Sequence, residues 1–336
     1  MKSGRLMIMG VIVALLWAVT IVEVAECGPT ILEFNIPTAN SKPYGIAAGY
    51  DGNLWFTEYT GNKIGRITPN GDITEYSLPA GTGGPWGITN GWDWHMWFTE
   101  FSGNKVAKIN TVGNTGQITE YPLPTVSSGP RGITHGINGQ MWADYSAAKI
   151  GWFDPSQDTP VDFSTFPANS RPEGITFRPS DGTYWFALSI GNSIGWIKPG
   201  LAANAVAIPT SSSFPQGITV GPDGNIWFTE FSGNKIGKYV PWSGFEEYEL
   251  PNPDSRPQEI TVGPDGNLWF TESHGNKIGR ITPSGVITEY PIPTPNSGPW
   301  GITPGPDGNI WFTEQNANKI GVLKISVVRL PLINKQ

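Results

Sequence analysis

The chain has 336 residues and a formal net charge of −7, with 43 glycines, 31 prolines and 15 tryptophans; 15 % of its residues are charged and 12 % aromatic. So much glycine and proline excludes a protein built on long helices, and the aromatic content excludes a disordered one. The acidic balance argues against nucleic acid as the main partner.

At the N-terminus, Lys2 and Arg5 precede an uncharged apolar stretch from Leu6 to Val22, and Ala25 and Cys27 follow before Gly28. A basic start, an apolar middle and a small-residue exit have the layout of a secretory signal, so residues 1–27 are expected to direct export and to be cleaved near Cys27. A retained anchor is the rival reading, because 17 apolar residues lie at the short limit for a membrane span. Lipid modification of Cys27 is disfavoured by Glu26, where such signals want a small residue. Cleavage leaves a secreted or cell-surface protein with no cysteine and no membrane span. Disulfides and thiol catalysis are then excluded, and stability must come from packing.

From residue 30 to 325 the chain is repetitive. A "DGNIWFTE"-like motif places tryptophans at 55, 97, 142, 185, 227, 269 and 311, spaced by 42, 45, 43, 42, 42 and 42 residues. Each unit reads as four short strands, as in "PQEITVGP", "DGNLWFTE", "NKIGRIT" and "VITEYPIP" between 257 and 293. Turn signals separate them. Asp265-Gly266 predicts a type I′ hairpin, with both central residues at positive φ. Four strands repeated seven times predict an all-β, seven-bladed β-propeller forming one domain. The tryptophans should fill the space between blades. An "ITEYPLP"-like segment precedes the first tryptophan, at 31–37, and none follows the last. Residues 31–37 should therefore supply the outer strand of the blade that begins at Pro299 and close the ring. Residues 326–336 remain as a C-terminal tail.

The segments "GITVGPDGNIWFTEFSGNKIGKY" (217–239) and "GRITPSGVITEYPIPTPNSGPWGIT" (279–303) resemble the repeats of the virginiamycin B lyase (streptogramin lyase) family, over about residues 30–325. The resemblance implies a seven-bladed propeller. It also implies a Mg²⁺-dependent, water-free elimination that opens the ester ring of type B streptogramins at one mouth of the ring. It further implies histidines after a proline in two late blades, one of them catalytic, with acidic residues nearby to hold the metal. The matching positions here are Gln258 and Trp300. The family's acidic positions fall at Gly298 and at or beside Glu314. Neither an indole nor an amide can serve as a general base near neutral pH.

The position after that proline reads, blade by blade, Tyr44, Trp86, Arg131, Glu173, Gln216, Gln258 and Trp300. All seven should ring one mouth of the channel, aromatic across blades seven, one and two and polar across blades three to six. Such a mouth suits a small amphiphilic molecule, a glycan or a peptide. Three readings follow: a ligand-binding propeller, a lyase or other enzyme, or a structural cell-surface module. No cofactor is predicted, with Mg²⁺ entering only under the lyase reading, and the protein is expected to be a monomer. Among the histidines, His95 and His135 read as structural. His274 is a candidate for a catalytic role because its turn interrupts the repeat. The glutamates that end each "WFTE" strand have a lysine five residues on and should pair with it across the hairpin. The aspartates of the "DG" turns read as turn formers, because they lack the alternating ligands of a calcium loop.

Overall fold

The computed structural model describes residues 29–325, apart from 80, 82, 115, 138, 155–157, 199–200 and 242. The expected signal (1–27) and the tail (326–336) lie outside the described residues. Seven four-stranded antiparallel sheets form the blades. Blade one comprises Pro43–Ala48, Leu54–Glu58, Lys63–Ile67 and Ile73–Ser77, from the channel outward. Blades two to six repeat this order. In blade seven the outer strand is Thr30–Asn35, which runs antiparallel to Lys319–Lys324 with Thr30 opposite Lys324 and Asn35 opposite Lys319. The ring therefore closes as the repeat register predicts. Among the described residues no helix is long and apolar enough to cross a membrane.

The repeated tryptophans form the inter-blade core. Trp311 of blade seven packs on Ile46, Leu54, Phe56 and Ile67 of blade one, and Trp55 of blade one on Ile88, Met96 and Phe98 of blade two. In five blades the turn aspartate takes the indole N–H, while Trp142 and Trp185 bury theirs without such a partner among the described residues. Trp55, Trp97, Trp227, Trp269 and Trp311 donate to Asp51, Asp93, Asp223, Asp265 and Asp307 at 2.9–3.1 Å. The aspartates are turn formers, but the type I′ expectation fails. Gly266 has φ 73° while Asp265 is not among the residues at positive φ. Pro264 and Asp265 are the central residues of a turn closed by Gly266 N–H on the Gly263 carbonyl (3.2 Å), a geometry in which only the following glycine needs the left-handed region.

A third repeated residue stitches blade to blade. The residue just before each third strand stands at positive φ; it is asparagine in six blades (Asn62, Asn104, Asn192, Asn234, Asn276 and Asn318) and Ala148 in blade three. The asparagine side chain reaches the linker that leads into the next blade. Asn318 accepts from Ser41 N–H and Oγ (2.7 and 2.9 Å) and donates to the carbonyls of Ile36 and Thr38 (3.2 and 2.9 Å).

Candidate functional site

Each inner strand begins with a proline, and its second residue is one of the seven predicted mouth positions. The backbone there is fixed from the preceding blade. Thr57 accepts from Gly45 N–H (2.9 Å) and donates to the Trp86 carbonyl (2.7 Å). Thr99, Thr229, Thr271 and Thr313 reach the carbonyls of Arg131, Gln258, Trp300 and Tyr44 in the same way. The threonine of "WFTE" thus locks one mouth residue to its neighbour all round much of the ring.

The structure brings five of the seven side chains into one continuous stack. Tyr44 lies on Trp86 with ring centroids 4.0 Å apart, and Trp300 meets both edge-on at 5.0 and 5.9 Å. The Arg131 guanidinium covers the Trp86 ring at 4.3 Å and the Tyr145 ring at 3.6 Å. Its Nη1 donates to both carboxylate oxygens of Glu173, at 2.7 and 2.6 Å. Burial pushes the Glu173 carboxyl up, while the Arg131 charge pulls it down; burial wins. Burial likewise raises the Tyr44 phenol. Gln216 lines the channel, and Gln258 is turned in, its amide donating to Ser273 Oγ at 3.1 Å.

A second aromatic tier surrounds the first. Tyr59, Phe101 and Tyr145 follow the "WFTE" acid or its equivalent in blades one to three, and Tyr59 and Phe101 contact the Trp86 ring at 5.6 Å each. Its sequence signal is an aromatic at a position that holds Ser189, Ser273 or Gln315 in blades four, six and seven, and Phe231 in blade five. Below the mouth a cavity of about 220 Å³ runs into the channel, lined by Trp86, Glu173, Gln216, Glu259 and Trp300 among others. Glu259 occupies a position that is glycine in the other six blades. Burial, with the charge of Glu173 adding to it, pushes its carboxyl up to about 8.

The histidines do not converge. His95 contacts Asp93 in its own turn, at 2.8 Å to the carbonyl oxygen and 3.2 Å to the carboxylate. His135 sits at the far end of an inner strand, its pKa lowered by burial. His274 lies on the rim, where Arg256 Nη1 is 3.1 Å from its Nε2 and Asp254 is 3.4 Å from its Nδ1.

The "WFTE" glutamates need a correction. Glu58 stands opposite Lys63 in the ladder, yet the lysine ammonium goes to Glu75 on the outer strand at 2.8 Å. Lys235, Lys277 and Lys319 likewise reach Glu247, Glu289 and Glu33 (3.0, 2.6 and 3.5 Å). Lys105 sits 2.5 Å from Glu120 and only 3.9 Å from Glu100. The physical reason is depth: the inner carboxyls are fully buried, while the outer ones keep 13–17 % of their side-chain surface exposed and also accept from the inter-blade linker, as Glu75 does from Thr38. Burial first, with the neighbouring outer carboxylate adding, pushes Glu58 and Glu314 up to about 8 and Glu100 and Glu230 to about 7.

A Mg²⁺ site of the kind the family resemblance implies has no donor set here. Gly298 has no side chain, Gln258 and Trp300 stand where histidines would, and Glu314 is fully buried, which pushes its carboxyl up to about 8. Among the described residues no three His, Cys, Asp or Glu gather to hold a metal. Hard cations need several oxygen ligands, so the residues present do not fit the ion.

Together the fold and the mouth define a seven-bladed propeller with an aromatic and ionic stack across one end of its channel. A family model described as the virginiamycin B lyase family matches residues 20–200 and 145–330, and the chain belongs to that family. A streptogramin B lyase structure is 37 % identical, with a TM-score of 0.83, over 89 % of this chain and 98 % of that one. Virginiamycin B lyase from Staphylococcus aureus is 36 % identical, with a TM-score of 0.82, over 89 % of this chain and all of that one. A catalytically inactive variant of the same enzyme, in a structure with quinupristin, matches equally well: 36 % identity and a TM-score of 0.82 over 89 % of this chain and all of that one. The curated virginiamycin B lyase of Bacillus licheniformis is 49 % identical over 41 residues, which span 12 % of this chain and 14 % of that protein.

Proposed function

We propose that this family member acts outside the cell as a ligand-binding propeller, taking an amphiphilic molecule, glycan or peptide at the mouth of its channel. The observation that carries the reading is the stack of Trp300, Tyr44, Trp86, Arg131 and Glu173 over an open cavity. Aromatic faces and edges offer apolar area, while Arg131, Gln216 and Gln258 offer orienting hydrogen bonds. The family's solved members include a lyase in a structure with quinupristin, so the ligand class extends to cyclic depsipeptides. Export rests on the basic and apolar N-terminal pattern. A screen of glycans, linear peptides and cyclic depsipeptides by tryptophan fluorescence tests it. For any ligand found, Trp86→Ala and Trp300→Ala should each weaken binding by about tenfold or more, the usual cost of losing a central aromatic anchor. Unchanged affinity in both would sink the reading.

A second reading is a C–O lyase acting on type B streptogramins, favoured by 36–37 % identity to such lyases over 89 % of the chain. Incubation of the protein with a type B streptogramin and Mg²⁺, followed by liquid chromatography and mass spectrometry, separates the two. Elimination gives a linear product of unchanged mass and new retention time, whereas hydrolysis adds the mass of water. The binding reading expects intact substrate; ring opening above a heat-inactivated control overturns it.

A further inference from the structure

The inner strands approach so closely that six of them require glycine at the residue after the mouth position. A Cβ on Gly45 would fall 2.6 Å from the Trp86 carbonyl oxygen, and one on Gly217 the same distance from that of Gln258. Gly87, Gly132, Gly174 and Gly301 face the next blade's carbonyl in the same way. Blade six alone carries a side chain there, Glu259, and the local geometry yields to it. The Glu259 N–H lies 3.3 Å from Thr271 Oγ1, against 2.9–3.0 Å for the equivalent glycines Gly45, Gly87, Gly217 and Gly301. A charged residue placed where packing wants none costs stability, so its presence calls for a use.

The carboxyl of Glu259 faces the cavity and makes no hydrogen bond or ion pair among the described residues. Two blades away the same cavity carries Glu173, already satisfied by Arg131. Of the two carboxyls only Glu173 has a guanidinium, so the channel is one positive charge short whenever both ionise. No other titratable side chain lines the cavity: blades one, two and seven give Ile46, Trp86, Ile88, Trp300 and Ile302, blades three and five Ile133, Gln216 and Thr219. Arg256 and His274 belong to the rim and are tied to Asp254. A carboxyl without a partner, facing tryptophans and aliphatic walls, suits a cation that is itself partly apolar. A hydrated divalent metal would want more oxygens than the wall supplies.

We infer that the channel beneath the mouth is a binding site for an organic ammonium group, with Glu259 as its counter-ion and Trp86 and Trp300 as its apolar wall. This rests on the mouth-binding reading and gives its ligand an amine. Because Glu259 holds its proton up to about pH 8, the incoming cation displaces that proton, and binding strengthens as pH rises. Below that value affinity should rise about tenfold per pH unit, since one proton leaves per cation bound.

The test is calorimetric titration of the full chain with n-butylammonium chloride between pH 6 and 8.5 at constant ionic strength, with n-butanol and MgCl₂ as controls. Expected are one site per chain, the tenfold-per-unit dependence, no binding of butanol and no competition by Mg²⁺. Glu259→Gln should weaken binding by about tenfold or more and flatten the pH profile. Glu259→Gly restores the residue of the other six blades, should fold at least as stably, and should also lose binding. Unchanged affinity in both variants overturns the inference, as does stoichiometric displacement by Mg²⁺ or the absence of any site at pH 8.5. The two readings fail separately. A screened ligand that lacks an amine, depends on Trp300 and ignores Glu259→Gln overturns only this inference. Ammonium binding that survives Trp86→Ala and Trp300→Ala but is lost in Glu259→Gln overturns the mouth shelf and the tryptophan wall, and leaves Glu259 as the counter-ion.

Discussion

Arg131 is held on three sides, by the rings of Trp86 and Tyr145 and by the carboxylate of Glu173. Its partner Glu173 is 7 % exposed, so the two ends of the pair differ in what their loss leaves behind. Removing the acid strands a cation in an aromatic pocket, and removing the cation strands a buried acid that can take up a proton. Breaking a buried pair from one side typically costs about 3–5 kcal/mol, because the remaining charge is left uncompensated. Glu173→Ala should therefore destabilise the protein by roughly 3 kcal/mol or more in urea unfolding. Arg131→Ala should cost less and should uncover one face of Trp86, seen as a red shift in tryptophan emission. Equal costs with no spectral change would show that the stack is not what holds Arg131. Tyr44 and Arg131 both lie against the Trp86 ring, at 4.0 and 4.3 Å. A ligand at this mouth meets edges, the Trp300 ring and the cavity below.

Between residues and ring stand the linkers, and the repeated asparagine governs them. In blade five Asn234 holds a linker that continues directly from its own blade, through Ser255 N–H (2.7 Å) and the Asn252 carbonyl (2.8 Å). In blade seven Asn318 holds residues 36–41, which follow the N-terminal strand, so it binds the two chain ends together. Asn318→Ala removes four hydrogen bonds and should cost about 2–4 kcal/mol, at a net worth near 1 kcal/mol each. It should also speed amide exchange in Thr30–Asn35, whereas Asn234→Ala should leave that strand protected. Equal exchange in both variants would remove the special role of the closure. Much of this architecture was legible in the letters. Tryptophan spacing gave the blade count, and the displaced 31–37 segment gave the closure, because a sheet edge must be paired. What was not legible depended on distances across strands. The lysine of "NKIG" sits opposite one glutamate and bonds another, which requires knowing which acid is open to solvent. Glu259 differs from six glycines in plain view, but its meaning comes only from how closely adjacent inner strands approach. The seven mouth positions could be read from the repeat, while their collapse into one stack could not, since it depends on side-chain length across the opening.

Over the whole molecule the stacked carboxyl pairs make an unusual acid–base device. Five blades carry a buried inner glutamate beside an outer, lysine-bound one, and blade three repeats it with Asp144 and Asp162. Blade four instead has buried Leu188 at the inner position, which shows that the fold does not require the acid. The inner acids Glu58, Glu100, Asp144, Glu230, Glu272 and Glu314 are all raised, to about 7 or 8, with burial the largest cause in each. A carboxyl raised on folding binds its proton more tightly in the native state, so its contribution is complete below the unfolded value near 4 and is lost as pH climbs through the native one. The outer acids Glu33, Glu75, Asp162 and Glu247 are lowered, each held ionised by its lysine and a linker hydroxyl against the burial that opposes them. Their contribution is present above the unfolded value and lost as pH falls below it. The two sets leave a stability maximum near pH 5 and a decline from there to pH 8, opposite to a protein whose acids are all salt-bridged. Melting curves from pH 4 to 9 should show that decline, by several degrees. Replacing Glu58, Glu230 and Glu272, three of the six, together by Gln should roughly halve it, because the amide keeps the shape of the protonated acid and cannot ionise. A melting temperature that rises between pH 5 and 8 would mean that the inner carboxyls are charged in the folded ring, with their lysines turned inward.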